Sequence, residues 1–217
     1  MKHVSRLSIV LSILAIVFMP AMAYASLAPT FNQTINPGTL SASINQAGDT
    51  TPVTSPTVSF TAQNYSFQCQ TSTGTLGDSN DLLNVTNLAS GINTWTLAIA
   101  ATGGSTATWT GTAGSYAYNN STGTPAGCTS GQMTVDPATG TITNDCNSSC
   151  TANAATVSLG SSAAFVSGTT NSVTLMSDSA GTAWEGYATG ISLSQTIPPL
   201  TPAGSYSLPM TITLTNT

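Results

Sequence analysis

Seven carboxylates and four thiols carry most of the ionisable chemistry of this 217-residue chain. The acids are Asp49, Asp78, Asp81, Asp136, Asp145, Asp178 and Glu185, and the thiols are Cys69, Cys128, Cys146 and Cys150. Lys2, His3 and Arg6 are the only Lys, His and Arg residues, and all lie at the extreme N-terminus. From residue 7 onward a histidine base, a Ser-His-Asp triad and a Schiff-base lysine are therefore impossible. Histidine-ligated metals are excluded as well. Phosphate neutralisation needs cations, so nucleic acid is not an expected partner. An anionic membrane surface would repel the chain. Glycoside hydrolysis needs two acids flanking a cleft, and none of the seven sits in a recognisable signature. An Asp-Thr/Ser-Gly protease motif is absent. The expectation is a non-catalytic protein without a cofactor.

Three groups remain that can bind something. Asp78 and Asp81, with Asn80 between them, offer oxygens suited to Ca²⁺, although turn capping by Asp and Asn explains the same spacing. The cysteines of an exported chain pair, and four allow three connectivities. Cys128, Cys146 and Cys150 share one loop-rich region, where at least one bridge is expected. Trp109 and Trp184, assisted by Tyr116, Tyr118 and Tyr187, can form a sugar-stacking platform, because an aromatic face suits the C–H face of a pyranose. The alternative for each ring is a place in the core or at its rim.

The elements that would position these residues read as strands. Residues 1–25 first have to be set aside. Their basic start, the apolar run "LSIVLSILAIVFM" and the small-x-small Ala23-Tyr24-Ala25 form a secretory signal peptide layout. Its removal predicts a secreted or cell-surface chain of 192 residues, that is 217 less 25, with no further long apolar run to span a membrane. The rest alternates with period two. Leu40, Ala42 and Ile44 share one face; so do Val58, Phe60 and Ala62. Tyr65, Phe67 and Cys69 continue with the phase slipped at Asn64, as at a β-bulge. Trp95, Leu97 and Ile99 form another face, and burying them stabilises by about 6 kcal/mol before entropy losses. "ATWTGTA" and "SYAYN" read as a hairpin. Tyr206, Leu208, Met210, Ile212 and Leu214 share a face of the last strand, which Pro209 consigns to a sheet edge or a bulge. Many short strands predict an all-β antiparallel sandwich of Greek-key or jelly-roll type. Residues 26–57 read as an N-terminal strand pair and connector, and 58–217 as the sandwich, the whole forming one domain.

"LNVTNLASGINTWTLAIAA" (83–101) and "AWEGYATGISLSQTIPPLTPAGSYSLPMTITLT" (183–215), with "TVSFTAQNYSF" ahead of them, resemble the WxL domain family of bacterial cell-surface proteins. The matched motif residues are Trp95 and Leu97, whose place on an alternating strand assigns them to the core. The family's second Trp-x-Leu falls where this chain reads Ile212-Thr213-Leu214, which marks a divergent branch. The resemblance implies non-covalent association with cell wall polysaccharide.

Two functions from different classes follow. One is a surface module that binds wall polysaccharide, another surface glycan or a surface protein. The other is a self-associating subunit of a surface layer or pilus-like filament. In it "SLAPTFNQTINPGTLSASI" would add a strand to a neighbouring sheet.

Overall fold

The computed structural model describes residues 33, 38–47, 51–88, 94–123, 128–145 and 156–217. The expected signal peptide lies outside the described residues. Residues 36–217 form one compact unit. Its strands are β1 (Leu40–Asn45), β2 (Gln70–Leu76), β3 (Leu82–Asn87), β4 (Trp95–Ala101), β5 (Thr108–Gly111) and β6 (Gly114–Ala117). They continue with β7 (Met133–Asp136), β8 (Thr141–Asn144), β9 (Val157–Leu159), β10 (Ala163–Ala164) and β11 (Ser172–Asp178). The last four are β12 (Trp184–Thr189), β13 (Ile191–Ile197), β14 (Tyr206–Ser207) and β15 (Met210–Asn216). Two single-turn 3-10 helices, Gly104–Thr106 and Pro137–Thr139, are the only helices among the described residues. None is long and apolar enough to cross a membrane.

The fold is an all-β antiparallel sandwich. Three sheets have four strands each, in the orders β1-β3-β12-β8, β10-β7-β13-β2 and β15-β4-β11-β9. A small sheet, β14-β5-β6, completes the sheets of the described residues. The first two sheets are halves of one bent layer. β12 runs into β13 through Gly190 alone, β2 leads to β3 and β7 leads to β8, so three neighbouring strands cross the same seam. The seam is hydrogen-bonded: the Gly190 N–H donates to the Gly77 carbonyl at 2.7 Å. The Thr139 hydroxyl donates to the Gly190 carbonyl at 3.1 Å and accepts from the Ser192 N–H at 2.9 Å. Gly77 has φ +82°, and a Cβ there would stand 2.9 Å from the Ala188 carbonyl oxygen, so both backbone and space demand glycine.

The third sheet packs across this layer. β4 alternates strictly, with Trp95, Leu97, Ile99 and Ala101 buried. Trp95 stacks on Trp184 of β12, with centroids 5.9 Å apart and planes 28° apart. Such a pair adds about 1 kcal/mol to the area the rings bury. Met133, Val135, Ile191 and Leu193 extend the same core across the seam.

The alternation at 58–69 did not become strands. Residues 58–69 make no ladder; the Thr61 N–H donates to the Thr73 carbonyl at 2.8 Å, and Val58 and Phe60 pack over the bare backbone of Gly74. Their spacing reflects contact with the face of β2 rather than pairing with it. At the other end of the expected connector, β1 pairs with β3 along its whole length, from Leu40↔Asn87 to Asn45↔Leu82.

Candidate functional site

The β5–β6 hairpin sets Trp109 directly opposite Tyr116. Cross-strand partners of an antiparallel pair share a face, so the two rings stack, with centroids 6.1 Å apart and planes 13° apart. Tyr206 of β14 sits opposite Gly111 and meets Tyr116 edge-on at 5.2 Å. Phe60 meets Trp109 edge-on at 5.3 Å from the other side. Four rings from three separated stretches of chain thus form one wall.

A buried amide fixes the wall. Gln195 of β13 is 1% exposed. Its Oε1 accepts from the Trp109 indole N–H at 2.8 Å, and its Nε2 donates to the Thr196 carbonyl at 2.8 Å. Both ends of the amide are satisfied, and the indole cannot rotate without leaving one unpaired. Tyr206 is held in turn by its hydroxyl, which donates to the Pro202 carbonyl at 2.7 Å.

This wall opens on a groove of about 240 Å³. Gln63, Asn64, Gln70, Ser72 and Thr201 surround the rings with amides and hydroxyls, and no charged side chain among the described residues lines the groove. Its size suits one ring of an extended ligand rather than a whole drug-sized molecule, for which pockets of about 300–1,000 Å³ are usual. Burial, and secondarily the neighbouring Tyr206, pushes the Tyr116 phenol up to about 12. It stays neutral, and able to donate a hydrogen bond, at any physiological pH. Tyr65, itself on the groove lining, pairs edge-on with Phe67 at 5.9 Å. The two are 55% and 74% exposed, so they extend the aromatic surface out of the groove into solvent.

Of the rings expected to form a platform, Trp109 and Tyr116 come together here. Trp184 and Tyr118 do not serve as one. Trp184 is 1% exposed, and its indole N–H donates to the Asn144 Oδ1 at 2.8 Å. Tyr118 is fully buried against Phe165, with its hydroxyl on the Gly104 carbonyl at 3.1 Å. A ligand cannot stack on either without opening the core. Tyr187 has the opposite parity to Trp184 on β12 and lies half-buried between Asn84 and Thr143, away from the groove. Trp95 and Leu97 are core residues.

The Asp78 carboxylate is occupied as a turn cap, accepting the N–H groups of Asn80 at 2.7 Å and Asp81 at 3.1 Å. Burial, then the Asp78 charge, raises the Asp81 carboxyl above its ordinary range. Among the described residues, no three His, Cys, Asp or Glu side chains gather as metal ligands. Cys128 bonds to Cys69, 59 residues away, rather than within its own loop region. That bridge ties the approach to β2, just beyond Tyr65 and Phe67, to the chain ahead of β7. Cys146 and Cys150 lie outside the described residues.

Phe60, Tyr65, Tyr206 and Gln195 belong to the site although the sequence did not single them out for it. Gln195 did leave a signal. It shares its strand parity with Ile191, Leu193 and Ile197, so an amide stands where an aliphatic residue is expected.

No protein-family model, no curated protein and no solved structure matches this chain. Its function has to be read from the groove itself.

Proposed function

We propose that this chain is an exported, non-catalytic cell-surface module, WxL-like in character, that binds a neutral polysaccharide through the aromatic groove. One observation carries this reading: the Trp109–Tyr116–Tyr206–Phe60 wall opens onto amides and hydroxyls with no charge among them. Rings supply the apolar face that sugar C–H groups need, and the neutral polar groups fix orientation through hydrogen bonds. An ionised ligand would find no counter-charge there.

Titration calorimetry with purified neutral wall polysaccharide tests it. Tyr65→Ala and Tyr116→Ala, shown to be folded by circular dichroism, should each weaken binding by about tenfold, the loss of one ring contact worth about 1.4 kcal/mol. Tyr187→Ala, on the far face of β12, should leave it unchanged. Absence of binding to neutral glycans, or binding insensitive to the two groove tyrosines, would overturn the proposal.

A further inference from the structure

A second groove lies between β1 and β15, and it is open where a sandwich would normally place a strand. Its volume is about 670 Å³. Ala42 and Ile44 line it from one sheet, Leu97, Ile99, Met210 and Ile212 from the other. Met210, Ile212 and Leu214 all point toward the core yet stay only half-buried, because no strand among the described residues covers β15.

The backbone beside this groove is unpaired on the same side. β15 is the edge of its sheet. The Thr102 N–H donates to the Pro209 carbonyl at 3.0 Å, and the Thr217 N–H to the Thr94 carbonyl at 2.9 Å. Odd-numbered residues therefore turn their polar groups toward β4, since an antiparallel strand alternates that direction. The N–H and C=O groups of Met210, Ile212 and Leu214 face away from it. β1 offers a second edge: Ile44 turns its carbonyl outward to the Val53 N–H at 2.7 Å, so Ala42 and Leu40 present theirs without a partner strand among the described residues. A long, flat edge usually carries charge or proline to block pairing; β15 carries no charge, and Pro209 just ahead of it turns its carbonyl toward Thr102 rather than outward.

We propose that this groove receives a strand from a second copy of this chain, the segment Leu27–Ile35 of its N-terminus. The segment's composition fits. Leu27, Pro29, Phe31 and Ile35 fall on one face with only Gln33 among them, while Ala28, Thr30, Asn32 and Thr34 form the other. The apolar face would fill the groove, and the backbone would extend the sheet from β15 by β-augmentation. The length fits too. Nine residues extend about 30 Å, against about 23 Å for the seven of β15. Removal of the signal peptide leaves twelve residues, 26–37, ahead of Gly38, all uncharged. Repeated from copy to copy, this head-to-tail contact is heterologous and builds a ring or a filament according to its rotation. The proposal differs from the glycan-binding reading in its ligand and in its use of a backbone edge, although Phe60, Trp109 and Tyr206 line both grooves.

The test compares the mature chain, residues 26–217, with a chain that starts at Gly38 and so keeps β1 whole. Sedimentation of the mature chain should show concentration-dependent oligomers, and the shortened chain should stay monomeric. A synthetic peptide of residues 26–37 should bind the shortened chain one to one. The same peptide with Phe31→Asp should bind about a hundredfold more weakly, from the lost apolar burial and the added charge. As an independent check, a Phe31→Cys chain mixed with a differently tagged Ile212→Cys chain should form an inter-chain disulfide. A mature chain that stays monomeric, which includes one that fills its groove with its own segment, would overturn the proposal. So would oligomers that survive loss of residues 26–37, or a peptide that does not bind the folded, shortened chain.

Discussion

The two grooves share a wall and differ in almost everything else. Phe60, Trp109 and Tyr206 line both. On one side the rings are surrounded by neutral amides and hydroxyls, with Gln195 holding the indole. On the other they meet aliphatic side chains and the unpaired edge of β15. On the proposed readings, one surface orients a ligand by side-chain hydrogen bonds and the other by a backbone ladder. Three rings can line both because an aromatic side chain has two faces and an edge. What distinguishes the two grooves is what surrounds the rings rather than the rings themselves.

The comparison can be broken from its foundations first. Removing the Cys69–Cys128 bridge frees a 59-residue loop, which costs about 4 kcal/mol by chain entropy. Urea unfolding of Cys69→Ala/Cys128→Ala against the parent should show this as a lowered midpoint, and an unchanged midpoint would mean the groove rim is anchored otherwise. Trp109→Ala comes next. It removes a half-buried ring and leaves the Gln195 Oε1 without its donor, for a loss of about 3 kcal/mol. It should weaken polysaccharide binding and strand capture together, because its ring lines both grooves. Loss of only one activity would show that the shared wall is not shared in function.

The smallest expected effect is with pH. The Tyr116 phenol is raised to about 12 in the folded chain, against about 10 unfolded. Stability from keeping it neutral is present in full below pH 10. It is lost as pH rises toward 12, because the unfolded chain gives up this proton first. Denaturant midpoints should fall more steeply over that window in the parent than in Tyr116→Phe. Equal slopes would contradict the burial assigned to this hydroxyl.

Much of the frame was legible in the sequence, for a local reason. Trp95, Leu97 and Ile99 alternate with smaller residues because β4 pairs and packs along its length, so pattern and structure coincide. The hairpin that joins Trp109 to Tyr116 was legible in the same way. Residues 58–69 misled because Val58 and Phe60 pack on Gly74 while their backbone pairs with β2 only at Thr61. Trp184 and Tyr118 could be read either as platform rings or as core rings because their chain neighbours are small and polar. Their burial comes from Trp95 and Phe165, 89 and 47 residues away, which no local pattern shows. The bend of the sheet at Gly77 and Gly190, and the convergence of Phe60 and Tyr206 on Trp109, arise from the same long-range pairing.

Trp109 also offers the most direct test of the central claim. Trp95 and Trp184 are 0% and 1% exposed, so a collisional quencher in solution reaches Trp109 in preference to them. Acrylamide quenching of a folded chain of residues 26–217, with and without neutral wall polysaccharide, reads the aromatic groove almost alone. The account predicts that saturating polysaccharide protects Trp109 and that Tyr116→Ala abolishes the protection. Polysaccharide that binds the chain while leaving the quenching of Trp109 unchanged would contradict it.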